Sequence, residues 1–261
     1  MRQGPVAPPS SRERLERGAV TVALLGGVVL FLALTGPRNG WEWSRVWGGP
    51  GRWGWTPVFA RALGTTLLVS VGAMAVALVL GFSAGLARLS RRAWLAQVAT
   101  VYVEVVRGTP LLVQLFVAVY CVGYSLGLDD PVLVGTLTLG AFAGAYVTEI
   151  VRSAVSSVDP GQTEAALSQG MTRAQVLRLV VLPQALRRML PPLAGELASL
   201  VKDSSLLSVV GVLELSKRAN EAQADTYRTY EIYFPVALLY LAITFPLSRW
   251  VRRLELRSAA P

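Results

Sequence analysis

Residues 62–87 read ALGTTLLVSVGAMAVALVLGFSAGLA, twenty-six positions without one charged side chain. As a helix rising 1.5 Å per residue this stretch covers about 39 Å, enough to cross ~30 Å of hydrocarbon with some tilt. The rest of the chain agrees with a membrane solvent. Of 261 residues, 53% are hydrophobic and 16% charged, where about 25% charged is usual for a soluble domain. The mean hydropathy is +0.48. Five further stretches resemble spans, giving six in all: 19–35, 62–86, 108–127, 132–151, 191–213 and 233–251. The fold class expected is therefore all-α and polytopic, with a multi-pass chain in a lipid bilayer.

Orientation follows from the basic residues, which concentrate in cytoplasmic loops. With the N-terminus inside, 17 of the 25 Lys and Arg fall on the inner side, seven outside, and Lys202 within a span. Both termini are thus expected in the cytoplasm. The net charge of +9 then reports topology, and no nucleic-acid partner is expected. Residues 1–18 form an Arg-rich inner tail, 19–35 a first span and 36–59 an outer loop; a cleaved signal peptide is the other reading of the first span and would leave five spans in the same orientation. That loop holds Trp41, Trp43, Trp47, Trp53 and Trp55, read as interfacial anchors.

Counting also excludes chemistry. There is no histidine and one cysteine, Cys121, so His-based catalysis, internal disulfides and Cys/His metal sites are absent. Lys202 and Lys217 are the two lysines, and neither follows a glycine. The phosphate-cradling pattern G-x-x-x-x-G-K-[ST] is missing. No catalytic, metal or cofactor site is expected in this chain.

Residues 157–192 read SVDPGQTEAALSQGMTRAQVLRLVVLPQALRRMLPP. Two helix starts lie in this inner loop. Asp159 is an N-cap, Pro160 suits the first helical position and Gln162 stands three after the cap. Gly170 is a natural stop. Thr172 caps again, with Gln175 three residues on, and Pro183 is expected to limit the second helix. Helices of about ten residues span only ~15 Å and cannot cross a bilayer. They form a projecting elbow whose Ala165 and Ala166 offer a small-residue surface. An interfacial amphipathic helix is the other reading of the same pattern.

Polar residues inside spans default to function. At 100° per residue Glu196, Ser199 and Asp203 share one stripe, and Lys202, Asp203 and Ser204 interrupt the fifth span where a helix can break. Gln114 and Tyr146 are further polar groups that can face a solute. Glu104 and Arg107, and likewise Glu149 and Arg152, stand three apart and can pair.

These residues resemble a known family. Glu164-Ala165-Ala166, Gly170, Val180, Leu182 and Pro183 match the Glu-Ala-Ala loop of bacterial ABC importer permeases, with Val in place of Ile. The runs VEVVRGTPLLVQ (103–114), GAYVTEIVRSAV (144–155), GQTEAA (161–166), LPQALRRMLPPL (182–193) and VKDSSLLSVVGVLEL (201–215) look like the polar amino acid subgroup, the histidine/glutamine type. Gln169 and Ala194-Gly195 depart from it. The resemblance covers about residues 60–257 and implies a five-helix permease core with a coupling loop at 159–183, after one extra span.

It also implies partners. Two ABC ATPase subunits would dock on Asp159, Gln162, Glu164, Ala165, Ala166 and Gly170, and would use the ATP and Mg. An extracytoplasmic solute-binding protein would deliver a polar amino acid. A second copy or a homologous permease would complete a pathway through the bacterial inner membrane. The rival expectation is a secondary transporter driven by an ion gradient through Lys202 and Asp203.

Overall fold

The computed structural model describes residues 54–258, together with residues 40 and 42–47 and the isolated positions 26, 27 and 30. The expected inner tail, and apart from those positions the first span, lie outside the described residues, as do Trp41 and Trp53. Among the described residues every regular element is helical. In chain order they are α1 (Trp43–Trp47), α2 (Thr56–Arg88), α3 (Ala93–Gly108), α4 (Leu111–Leu126) and α5 (Pro131–Ser156). The elbow helix α6 (Pro160–Ser168) and a short α7 (Arg173–Gln175) precede α8 (Leu182–Asp203). α9 (Leu215–Thr226) and α10 (Thr229–Ser258) complete the chain.

Helix α2 holds the charge-free stretch and packs along α5. Its contact face is a ladder of small residues, Ala73, Ala77, Gly81 and Gly85, each one turn apart. Without a hydrophobic driving force in lipid, helices associate where small residues let backbones approach. The approach is close: a Cβ on Gly81 would lie 2.4 Å from Val147, and one on Gly140 would lie 2.5 Å from Val76. The seam buries Val69, Leu139, Ala143, Val147 and Val151. The Tyr102 hydroxyl of α3 crosses to donate to the Ala141 carbonyl at 2.5 Å.

Of the expected spans, the second and fourth correspond to α2 and α5, both longer than read from sequence. The third, 108–127, corresponds to α4, which follows a sharp bend. α3 and α4 form a pair bent by 104°, joined at Gly108-Thr109-Pro110. The pyrrolidine ring excludes helical geometry from the preceding residue, and Thr109 is accordingly extended at φ −122°, ψ 146°. Chain direction therefore changes at Gly108-Thr109-Pro110, a sequence that breaks or redirects a helix, and α4 occupies the expected segment from Leu111. Within α4 a widened turn covers Val117–Gly123.

The fifth expected span, 191–213, is shifted. α8 begins at Leu182, ends at Asp203 and tightens into a 3-10 turn over Ser204–Val210, closed by Gly211 at φ +90°. Pro183 does not end a helix. A π turn over Val176–Val181 carries the chain from α7 straight into α8, and the Gln184 side-chain amide donates to the Val180 carbonyl at 3.0 Å, serving an acceptor beside the proline that cannot donate.

Three described helices, α2, α5 and α10, are long and apolar enough to cross a membrane, and the bent pair makes a fourth if it is one span. α8 carries Arg187, Arg188, Glu196, Lys202 and Asp203.

A second, smaller core lies where α1 meets α2, α9 and α10. It buries Val46, Phe59, Ala62, Leu215, Ala219, Ile232 and Val236. Trp47 stacks on Phe59 with ring centroids 4.8 Å apart, and its indole N–H donates to the Glu231 carbonyl at 2.6 Å. Trp47 is thus half-buried against the protein as well as lying in the Trp-rich segment. Arg228 pairs with Glu42 at 2.9 Å.

Candidate functional site

The elbow is built by its own end signals. Asp159 accepts from the Gly161 N–H at 2.9 Å, satisfying one of the orphan donors at the helix start. At the other end Gly170 adopts φ +83°, a conformation that disfavours any residue with a Cβ. There Gly170 N–H donates to the Leu167 carbonyl at 3.0 Å and Met171 N–H to the Ala166 carbonyl at 3.2 Å, a Schellman closure. Thr172 and Gln175 then form a reciprocal capping box. The two expected helix starts and the glycine joint are present.

The elbow's surface is divided. Gln162, Glu164 and Ala165 are exposed, whereas Ala166 is buried within the main core that also contains Val158, Val176 and, farther along the bundle, Leu207. The small-residue surface expected from both alanines is therefore carried by Ala165 alone, and Ala166 seats the helix. The elbow root is held too. Arg188 of α8 donates to the Ser157 carbonyl and to its hydroxyl, the latter at 2.8 Å. Packed side chains and hydrogen bonds thus join the root of the elbow to α5 and α8.

Above the root lies a cavity of about 710 Å³ between α5 and α8, which Tyr146, Glu149, Ser153, Arg188, Glu196 and Ser199 line with Arg107 of α3. It brings together Tyr146, Glu196 and Ser199 from the expected pathway. Lys202 is exposed, Asp203 half-buried and Ser204 buried, and none of the three lines this cavity. The Ser204 hydroxyl donates to the Val201 carbonyl at 2.8 Å. Gln114 serves the bend: its amide donates to the Val106 carbonyl at 2.7 Å and to the Thr109 hydroxyl at 2.8 Å, occupying acceptors exposed where α3 breaks.

Arg107 does not pair with Glu104, contrary to the i, i+3 expectation. Its guanidinium lies 5.0 Å from the Tyr146 ring centroid, where the ring's quadrupole attracts a cation by about 0.5–2 kcal/mol. Glu149 does pair with Arg152, and also receives Arg88 at 2.6 Å from α2. Sequence reasoning missed that Arg88 contact, because a one-helix spacing rule carries no information about a neighbouring helix. It also missed Glu214, fully buried, which accepts from the backbone N–H groups of Ser216 at 2.9 Å and Lys217 at 2.7 Å and from the Tyr240 hydroxyl at 2.7 Å. An acidic residue just ahead of a helix start was the available signal.

An all-helical bundle with a projecting elbow and an open cleft that carries Arg107, Glu149, Arg188 and Glu196 suits a membrane transport subunit. Residues 77–259 match the model of the binding-protein-dependent transport system inner membrane component family, and the chain belongs to that family. The glutamine transport system permease protein GlnP of Escherichia coli (strain K12) is 40% identical over 219 residues, covering 83% of this chain and 97% of its own. The octopine transport system permease protein OccM of Rhizobium meliloti is 37% identical over 198 residues, covering 72% and 81%. Among solved structures, a crystal structure of an amino acid ABC transporter with histidines superposes at TM-score 0.72 with 37% identity, covering 78% and 95%. The inward-facing MetNI methionine ABC transporter shares the fold at TM-score 0.63 and 22% identity, covering 76% and 97%. The chain is accordingly a transport subunit and not itself an enzyme.

Proposed function

We propose that this chain is the membrane-spanning permease of an ATP-driven importer that moves a polar amino acid across a bacterial cytoplasmic membrane. The observation that carries the coupling part is the elbow: a doubly capped short helix, exposed at Glu164 and Ala165, whose buried face and root continue into the bundle. In this reading the chain crosses the membrane six times, with both termini and the elbow in the cytoplasm. Its parts are the inner tail 1–18, the first span 19–35, the outer loop 36–59 and the transport core 60–257.

ATP, with Mg, is bound and hydrolysed by two separate ATPase subunits, which dock on the surface from Asp159 to Gly170. Their closure pushes the elbows of two permease copies, or of this chain and a homologous partner. The bundles then rock about the pathway between inward-open and outward-open states. A solute-binding protein delivers the amino acid from outside. The cavity holding Tyr146, Glu196 and Ser199 belongs to the pathway, with Asp203, Lys202 and Ser204 at the helix end above it and Gln114 at the bend beside it. The relatives' names place glutamine and octopine among the solutes of such permeases, which supports a polar amino acid or a derivative of one.

Deleting residues 164–170, or making Gly170→Pro, tests the coupling. Membrane insertion should persist while ATP-dependent uptake in reconstituted vesicles falls to background. Uptake at the wild-type rate by either variant would sink the coupling role of the elbow.

A further inference from the structure

Beside the elbow a second cleft of about 590 Å³, sharing no lining residue with the polar cavity, opens between the end of α2, the end of α5 and the chain leaving α6. Its walls are apolar, including Leu86, Leu89, Val155 and Leu177, and its rim carries Arg91 and Arg173. No acidic residue lines it. Both rim arginines are exposed. Among the described residues neither has a carboxylate partner within ion-pair distance. Of the elbow helix, Thr163 and Leu167, one turn apart, face this cleft, whereas Glu164 and Ala165 do not line it.

We infer that this cleft binds one anionic phospholipid from the inner leaflet, with the phosphate between Arg91 and Arg173 and acyl chain against the leucine and valine wall. Three features select that occupant. The cleft lies where the charge-free α2 ends at Arg88 and the arginine loop 88–92 begins, the depth at which hydrocarbon gives way to headgroups. Its rim is positive and its interior apolar, matching a ligand that is anionic at one end and aliphatic at the other. Basic pockets between membrane helices on the cytoplasmic side suit anionic lipid headgroups, and a guanidinium matches phosphate geometry in a way a polar wall does not. A protein partner reaching the elbow meets Glu164 and Ala165 instead. The inference rests on the cytoplasmic placement of the elbow proposed above. Its consequence is that a lipid molecule touches the helix that transmits motion.

Native mass spectrometry of the full chain in neutral detergent tests this, titrating phosphatidylglycerol against phosphatidylcholine with the same acyl chains. Both lipids carry a phosphate, but the choline cation cancels its charge in phosphatidylcholine, so beside two arginines the anionic phosphatidylglycerol should bind on the order of tenfold more tightly. The double variant Arg91→Ala/Arg173→Ala should erase the preference. Arg91→Lys/Arg173→Lys, which keeps the charge, should retain most of it, as should the charge-matched control Arg252→Ala/Arg253→Ala. Equal binding of the two lipids, an unchanged preference in the alanine pair, or an equal loss in the control would overturn the proposal. So would full displacement by inorganic phosphate at the lipid's concentration, which would assign a soluble anion, or displacement on adding the ATPase, which would assign the cleft to that partner. Because binding is read in detergent, it is independent of orientation. Labelling of Arg91→Cys from one side of sealed vesicles judges orientation separately.

Discussion

Glu214 shows what a single side chain contributes outside the pathway. It lies in the linker before α9, fully buried, and three hydrogen-bond donors converge on its carboxylate. Burial holds its carboxyl above the ordinary glutamate value, more than the donors from Ser216, Tyr240 and Lys217 pull it down. The native chain therefore takes up this proton more readily than the unfolded chain. The stability linked to that proton is complete below the ordinary value and is lost as pH rises through the raised one. Glu214→Gln, which keeps an acceptor oxygen without a charge to desolvate, should flatten the dependence of Tm on pH between acid and neutral. A Tm profile parallel to wild type would remove Glu214 as the titrating group. Glu214→Ala should instead lower Tm at every pH, since each orphaned buried donor costs about 1–3 kcal/mol. Residues whose partners lie on their own helix, such as Asp159, Thr172 and Glu149 with Arg152, are legible from spacing. Arg88 and Arg107 are not, because their partners arrive from other helices, and of Glu214's three donors only the Tyr240 hydroxyl does, Ser216 and Lys217 being local to the helix it caps.

Elements show the same division. The ends of α6 are written in a few local residues, and the structure places them there. The Gly108-Thr109-Pro110 sequence marks the break between α3 and α4, but neither its 104° angle nor the Gln114 bonds across it can be read from that tripeptide. The two widened turns, Val117–Gly123 and Val176–Val181, leave no trace in periodicity, since one extra residue in a turn hides within the scatter of an apolar stripe. Pro110→Ala removes the ring that keeps Thr109 extended. Spin labels at Val98 and Val122, both exposed, should then report a broader and longer distance distribution as α3 and α4 straighten in part. An unchanged distribution would mean that the Gln114 bonds alone hold the bend.

At the scale of the whole molecule there are two cores with different origins. The larger follows from small residues on α2 and α5 and was foreshadowed by the apolar runs. The smaller joins residues 42–47 to the start of α10 across nearly the full chain, and no local pattern announces a contact of that range. Trp47→Ala should open this second core selectively. Truncating a buried aromatic costs about 3–5 kcal/mol where it is fully enclosed, and Trp47, which is partly exposed, belongs toward the lower end. Hydrogen exchange should rise in α9 and the first turns of α10 while the α2–α5 seam stays protected. Equal deprotection of both regions would show one cooperative unit instead of two.

The bond from the Trp47 indole to the Glu231 carbonyl joins positions 184 apart, and that separation sets a schedule for synthesis. At 5–20 residues per second the ribosome needs roughly 10–40 s to deliver the acceptor after the donor has emerged. For that interval the indole N–H and the face later covered by α10 belong to an unfinished chain. A nascent permease stalled before residue 231 can have its α2–α5 seam in place and still lack this closure. The second core therefore closes only after synthesis has passed residue 231, later than the α2–α5 seam, whose last residue is Ser156.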